Sequence, residues 1–326
     1  MNNDGATDKA RIYSHQSSSS FSLSSSSSQP PSYAASERHS MPTAQFQIQA
    51  RGVTSTSSIC KQDSAEPILI YRVANHGTDS VVSAEPAYFS LRPKPSSNSC
   101  VLVRGGSGNT TTSAGTHADT GRIPVNATIY RWGPGRHPKI RLFSPTAQLP
   151  VSTIEQALAA EEEVEASCER IVEVHSRSVF SRDQKMENTP FGTLQWRYAG
   201  RAERRQVYDA DSLLVLERLD ISDSRGGKGF FSGKVKKGKE EHKENRVCVA
   251  RFVRNHEFRT PGTTKGMAGN GGRLMVFGRG TGGCSEDEKD RHGSSTSFEA
   301  FVIASCLCML KKEVDRMRDN TTAAIV

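Results

Sequence analysis

The residues in this sequence best placed to do chemistry are cations. Lys228, Lys234, Lys236, Lys237, Lys239, Lys243 and Arg246 crowd one stretch, and ten Lys or Arg lie between Lys228 and Arg259. They face only Glu240, Glu241, Glu244 and Glu257 there, so this stretch carries most of the formal net charge of +8. Clustered cations attract phosphate, and near an anionic membrane each contributes about 1 kcal/mol. Lys234, Lys236, Lys237, Lys239, Lys243 and Arg246 are therefore the candidate lipid-binding residues. The plainer alternative is a solvated loop, which the interleaved glutamates favour. Lipid binding would require a positive patch on one face, built by more than this loop. Nucleic acid would also be drawn to lysines, but only Phe230 and Phe231 could stack on bases and no binding motif is present.

Other chemistry finds little support. Gly226-Gly-Lys-Gly-Phe230 and Gly269-Asn-Gly-Gly272 lack the order of a phosphate-binding P-loop and precede no convincing helix. His137, His175, His256 and His292 have no second ligand at metal spacing and match no nucleophile motif. Asp220, Asp223 and the run Glu286, Asp287, Glu288, Asp290 are not spaced as a calcium loop. The expectation is a non-enzyme with no catalytic residue, metal or cofactor. An enzyme would need a site assembled from distant residues. Seven scattered cysteines, Cys60, Cys100, Cys168, Cys248, Cys284, Cys306 and Cys308, suggest a reducing compartment, hence the cytoplasm or nucleus.

The elements that must position these groups are mostly strands. Ten of the twelve residues from Ser17 to Ser28 are serine, with Pro30, Pro31 and Pro42 following. Such a stretch buries too little apolar area to offset its ordering entropy, so residues 1–62 read as a disordered tail and 63–320 as one domain. β-branched and aromatic residues predict strands at Ile68–Ala74, Tyr88–Leu91, Cys100–Arg104, Ile123–Trp132 and Lys139–Phe143. Period-two alternation marks Arg170–Phe180, Phe191–Tyr198 with Trp196 inward, and Arg246–Arg254. Asp211–Leu219 fits helix or strand, and its neighbours favour strand. Arg273–Phe277 closes the series. Thr153–Ala166 reads as an acidic helix within a loop excursion. Loop insertions are expected near 105–121, 150–168, 222–245 and 260–295, and a disordered end at 321–326.

The last element has the clearest pattern. Thr296-Ser-Phe-Glu299 has the form of a capping box. From Phe301 to Leu310 no face is charged, so this helix must be enclosed on all sides. Beyond Leu310, Val314 and Met317 oppose Lys311, Asp315 and Arg318, as if the helix leaves the core for water. The apolar run falls short of the roughly 20 residues that span a bilayer. Nine or ten strands with one enclosed helix are best satisfied by a closed or nearly closed antiparallel barrel wrapped around that helix. A two-layer sheet packed on a helix is the alternative.

The sequence Phe191-Gly-Thr-Leu-Gln-Trp-Arg-Tyr198, the strand Arg246–Arg254 and the helix Phe298–Arg318 resemble the tubby C-terminal-like group, which includes the plant LURP-one-related and phospholipid scramblase families. The likeness is narrowest to an uncharacterised fungal family of that fold. It covers about Pro67 to Asn320, and the Gly-rich and acidic insertions depart from it. The resemblance implies a barrel closed around a hydrophobic C-terminal helix. It also brings phosphoinositide binding by basic barrel residues as a precedent, though no residue of such a site can be matched here. The functional expectation is a non-enzymatic scaffold or interaction domain with a protein partner. Its alternative is peripheral binding of anionic phospholipid or phosphoinositide through basic loops.

Overall fold

The computed structural model describes residues 41–54, 66–76, 79–93, 97–105, 124–131, 133, 136–143, 158, 168–176, 181–220, 245–278 and 295–324. Among these residues, twelve strands and two helices have defined ranges, in chain order: β1 (Ala44–Val53), β2 (Ile68–His76), β3 (Asp79–Leu91), β4 (Cys100–Arg104), β5 (Pro124–Ile129), β6 (Lys139–Phe143), β7 (Cys168–Ser176), β8 (Gln184–Thr189), β9 (Gly192–Tyr198), α1 (Arg201–Gln206), β10 (Ser212–Asp220), β11 (Asn245–Arg254), β12 (Ala268–Val276) and α2 (Ser295–Ala323). Each strand pairs antiparallel with its successor, and β1 pairs with β12 to close the barrel.

The interior follows from the pleat. Alternate side chains point inward, and Phe46, Ile48, Ile70, Ile140, Leu194, Trp196, Leu214, Leu216, Phe252 and Leu274 are all fully buried there. They meet Phe301, Val302, Ile303, Cys306 and Met309 of α2 in one apolar cluster. An all-round apolar helix thus finds walls on every side. At about 1.5 Å per residue, the 29-residue helix is roughly 43 Å long, longer than a nine-residue strand, so its last turns leave the barrel. Its polar groups are tied to the wall as it passes. Glu299 accepts from Arg72 at 2.7 Å, and Ser305 accepts from the Trp196 indole N–H at 3.1 Å. No described helix is long and apolar enough to cross a membrane.

Two smaller clusters cover the outside of the wall. Leu213, Val215, Val253, Phe258, Met275 and Phe277 pack over β10–β12, and Leu91, Val101, Val103, Ala127 and Phe143 over β3–β6.

The structure corrects several boundaries. β1 lies inside the segment 1–62 expected as tail, yet its Phe46 and Ile48 are completely buried. β12 begins at Ala268, within the expected loop 260–295, and β8 and α1 were not anticipated. α2 runs to Ala323, past the boundary at 320. Asp315, expected on the water side of α2, is buried and accepts from the Tyr130 hydroxyl at 2.6 Å. The Glu299 carboxylate that would complete a capping box instead pairs with Arg72. The helix expected at Thr153–Ala166 and the insertions at 105–121 and 222–245 lie outside the described residues, apart from Gly105, Leu158 and Asn245, which begins β11.

Candidate functional site: a cationic cleft where the helix leaves the barrel

At the end of the barrel where α2 emerges, a cleft of about 470 Å³ opens between β9, β10, β11, the start of β12 and the helix. Arg182, Arg204, Arg254, Arg259, Lys265 and Arg316 line it, against the carboxylates of Asp211 and Glu313. Six cations thus share a concave surface with two anions. Local folding explains each position. Arg204 sits on α1, a short turn that bridges β9 to β10. Arg259 and Lys265 come from the connection between β11 and β12. Arg316 projects from α2 and donates to the Ser181 carbonyl at 2.9 Å.

The inner wall is a buried ion pair. Arg254 donates to both Glu313 oxygens at 2.6 and 2.7 Å, to Asn270 Oδ1 at 2.9 Å and to Ser212 Oγ at 2.8 Å. Tyr198 Oη and the Gly269 amide also donate to Glu313, at 2.8 and 3.2 Å. Burial alone would raise the Glu313 carboxyl, but the Arg254 charge and these donors hold it below the usual carboxylate range. Burial, then the adjacent Glu313 charge, pushes the Tyr198 phenol up.

The outer wall is looser. Asp211 receives Arg259 and, at 3.1 Å, Lys265, whose side chain is 74% exposed. The Arg182 guanidinium lies 5.8 Å from the centre of the Tyr198 ring. Arg204 and Arg254 each keep a buried Nε–H with no acceptor among the described residues. A buried donor left without a partner costs about 1–3 kcal/mol. An anion entering the cleft would find an excess of positive charge.

Of the sequence candidates, Lys234, Lys236, Lys237, Lys239 and Lys243 lie outside the described residues. Arg246 opens β11 on the outer face, 3.4 Å from the Glu217 carboxylate. It does not line the cleft. The histidines without sequence partners do meet in part: the rings of His137 and His175 lie with centres 4.3 Å apart, tilted at 53°. Among the described residues no group of His, Cys, Asp and Glu has the geometry to hold a metal ion. Most of the cleft's cations were missed because they are spread from Arg182 to Arg316, and only strand order brings them together. No protein-family profile, curated protein or solved structure matches this chain.

Proposed function

We propose that this chain is a non-enzymatic binding domain that takes a phosphate group of its partner in the cationic cleft. The observation that carries this reading is the excess of six cations over two carboxylates in one concavity. Arginine forks match phosphate oxygens well. The phosphate source we favour is the headgroup of an anionic phospholipid at a membrane surface. The exposed rim cation Lys265 and the openness of the cleft to solvent support that choice. So does the fold, a closed antiparallel barrel around a C-terminal helix, which is consistent with the tubby-like group. The domain would then act as a peripheral tether or scaffold in the cytoplasm or nucleus.

The test is co-sedimentation with phosphatidylcholine vesicles, with and without a phosphoinositide, at low and high salt. Binding is expected only with the anionic lipid and should weaken with salt. Replacing Arg182 and Lys265 together by alanine should weaken it roughly 25-fold, two basic contributions of about 1 kcal/mol each. Replacing Lys234, Lys236, Lys237, Lys239 and Lys243 by glutamine should change it less. Competition by a soluble inositol phosphate without vesicle binding would place the phosphate source in solution. No binding of either would reject the reading.

A further inference from the structure

A second cavity, of about 270 Å³, lies on the other side of Gly269 from the cleft. It forms where β1 leaves its regular ladder. The register with β12 shifts between Ile48 and Arg51, and Gly52 takes φ +65°. One part of the lining is apolar, Val53 from β1, Ile68 from β2, and Leu307, Leu310 and Val314 from the helix, and Gln49 and Thr260 stand beside it. Leu307 and Leu310 belong to the barrel core, so the cavity reaches the buried face of α2.

One polar group inside it is out of place. Arg92, just beyond β3, lines the cavity, and its Nη1 is buried with no hydrogen-bond partner among the described residues. Arg51 and Lys311 add positive charge, and Glu66 is the one acidic residue of the lining, 3.3 Å from Arg51. A chamber with apolar side chains from α2 and β2, and three cations against one carboxylate in its lining, suits an apolar molecule ending in an anion. Size narrows the class. A 150 Å³ cavity holds benzene and drug-sized ligands occupy about 300–1,000 Å³, so the occupant is small. A planar carboxylate suits the arginine fork.

We propose that this cavity binds a small monocarboxylate with an apolar chain, of the class of medium-chain fatty acids. The carboxylate accepts from Arg92 and the chain lies along Ile68, Leu307, Leu310 and Val314. The site is separate from the phosphate cleft and does not depend on it.

The test is calorimetric titration of the full chain with decanoate and with decanol, each below its aggregation limit. Decanoate should bind, and decanol should bind roughly tenfold or more weakly, the difference a charge-assisted hydrogen bond makes. Arg92→Gln should abolish the preference, and Ile68→Trp, which fills the chamber from its half-buried rim, should abolish both. No decanoate binding, equal binding of the alcohol, or an unchanged preference in Arg92→Gln would each overturn the proposal. If Arg92→Gln does not fold, the comparison of acid with alcohol and the Ile68→Trp variant decide it. The Arg182/Lys265 alanine variant should still bind decanoate; its loss there would show that the two sites are one.

Discussion

Removing the Glu313 carboxylate strands Arg254. The arginine is 5% exposed, and Glu313 is its one anionic partner among the described residues. Breaking a buried pair from one side typically costs about 3–5 kcal/mol. Glu313→Gln should lose about that much in urea-unfolding free energy. The same residue sets part of the acid limb. Its carboxyl sits lower in the fold than in the unfolded chain, so its contribution is complete above about pH 4.3 and is lost as pH falls through the folded value. The Gln variant should show a flatter acid limb. Lys312 acts at the other end of the scale. Burial pushes its amine down to about 8, despite its bonds to Gln184 and Ser176. Between about pH 10.4 and 8, the unfolded chain holds this proton and the fold does not. Stability should therefore rise with pH across that window. Lys312→Met should flatten the rise, seen as denaturation midpoints measured from pH 8 to 10. A rise that persists in the Met variant would show that another group titrates.

At the scale of elements, α2 depends on a strand whose first half, Ala268–Gly272, has almost no strand propensity. Gly269 of β12 takes φ +69°, and a β-carbon there would lie 2.5 Å from Val314 Cγ2 and 2.9 Å from the Leu310 carbonyl. Gly269→Ala should cost about 1–3 kcal/mol by backbone strain alone, and Val314→Ala should restore only the part due to the clash. Gly271 is more confined still, with Ile48 O at 2.0 Å from its would-be β-carbon. These glycines explain what was legible. β9, β11 and α2 could be read because side-chain period alone determines their burial: Leu194 and Trp196 in β9 are fully buried, as alternation required. β12 reads as loop over Ala268–Gly272 because close approach to β1 and α2, and not propensity, selects its residues. β1 alternates Phe46, Ile48 and Ala50 with glutamines, a pattern hidden beside a Ser-rich tract. Its outward Gln47 is buried as well, donating to Phe258 O at 2.8 Å and accepting from Arg273 at 3.1 Å. The cationic cleft was legible only in part: Arg254 and Arg259 end the basic stretch, whereas Arg182, Arg204 and Arg316 join them only when the barrel end gathers them. The enclosed helix makes the sharpest element-scale expectation. Phe301 is fully buried among strand side chains, so Phe301→Asp should abolish folding, an unpaired charge there costing several kcal/mol. A soluble variant with a normal melt would show the helix is not enclosed.

At the scale of the whole molecule, the barrel is a meander with one non-local seam. Eleven of its strand pairs join neighbours in sequence, whereas β1 and β12 meet across most of the chain, as in the Thr43 N–H to Val276 O bond at 2.8 Å. The sequential pairs close connections of at most 24 residues, but the seam must close a loop of about 230 residues. Loop-closure entropy grows with length, and this seam gains nothing until both edges and the helix are in place. The seam should therefore form after the rate-limiting step. Ile48→Val, at a fully buried position of β1, should destabilise by about 0.5–1.5 kcal/mol and act on the unfolding rate, with a φ-value near zero. A matched Val215→Ala in β10, in the β9–β10–β11 meander, should slow folding instead. Stopped-flow chevrons of the two variants decide it. If Ile48→Val slows folding by as much as it destabilises, the first and last strands meet early, and closure organises the barrel in place of completing it.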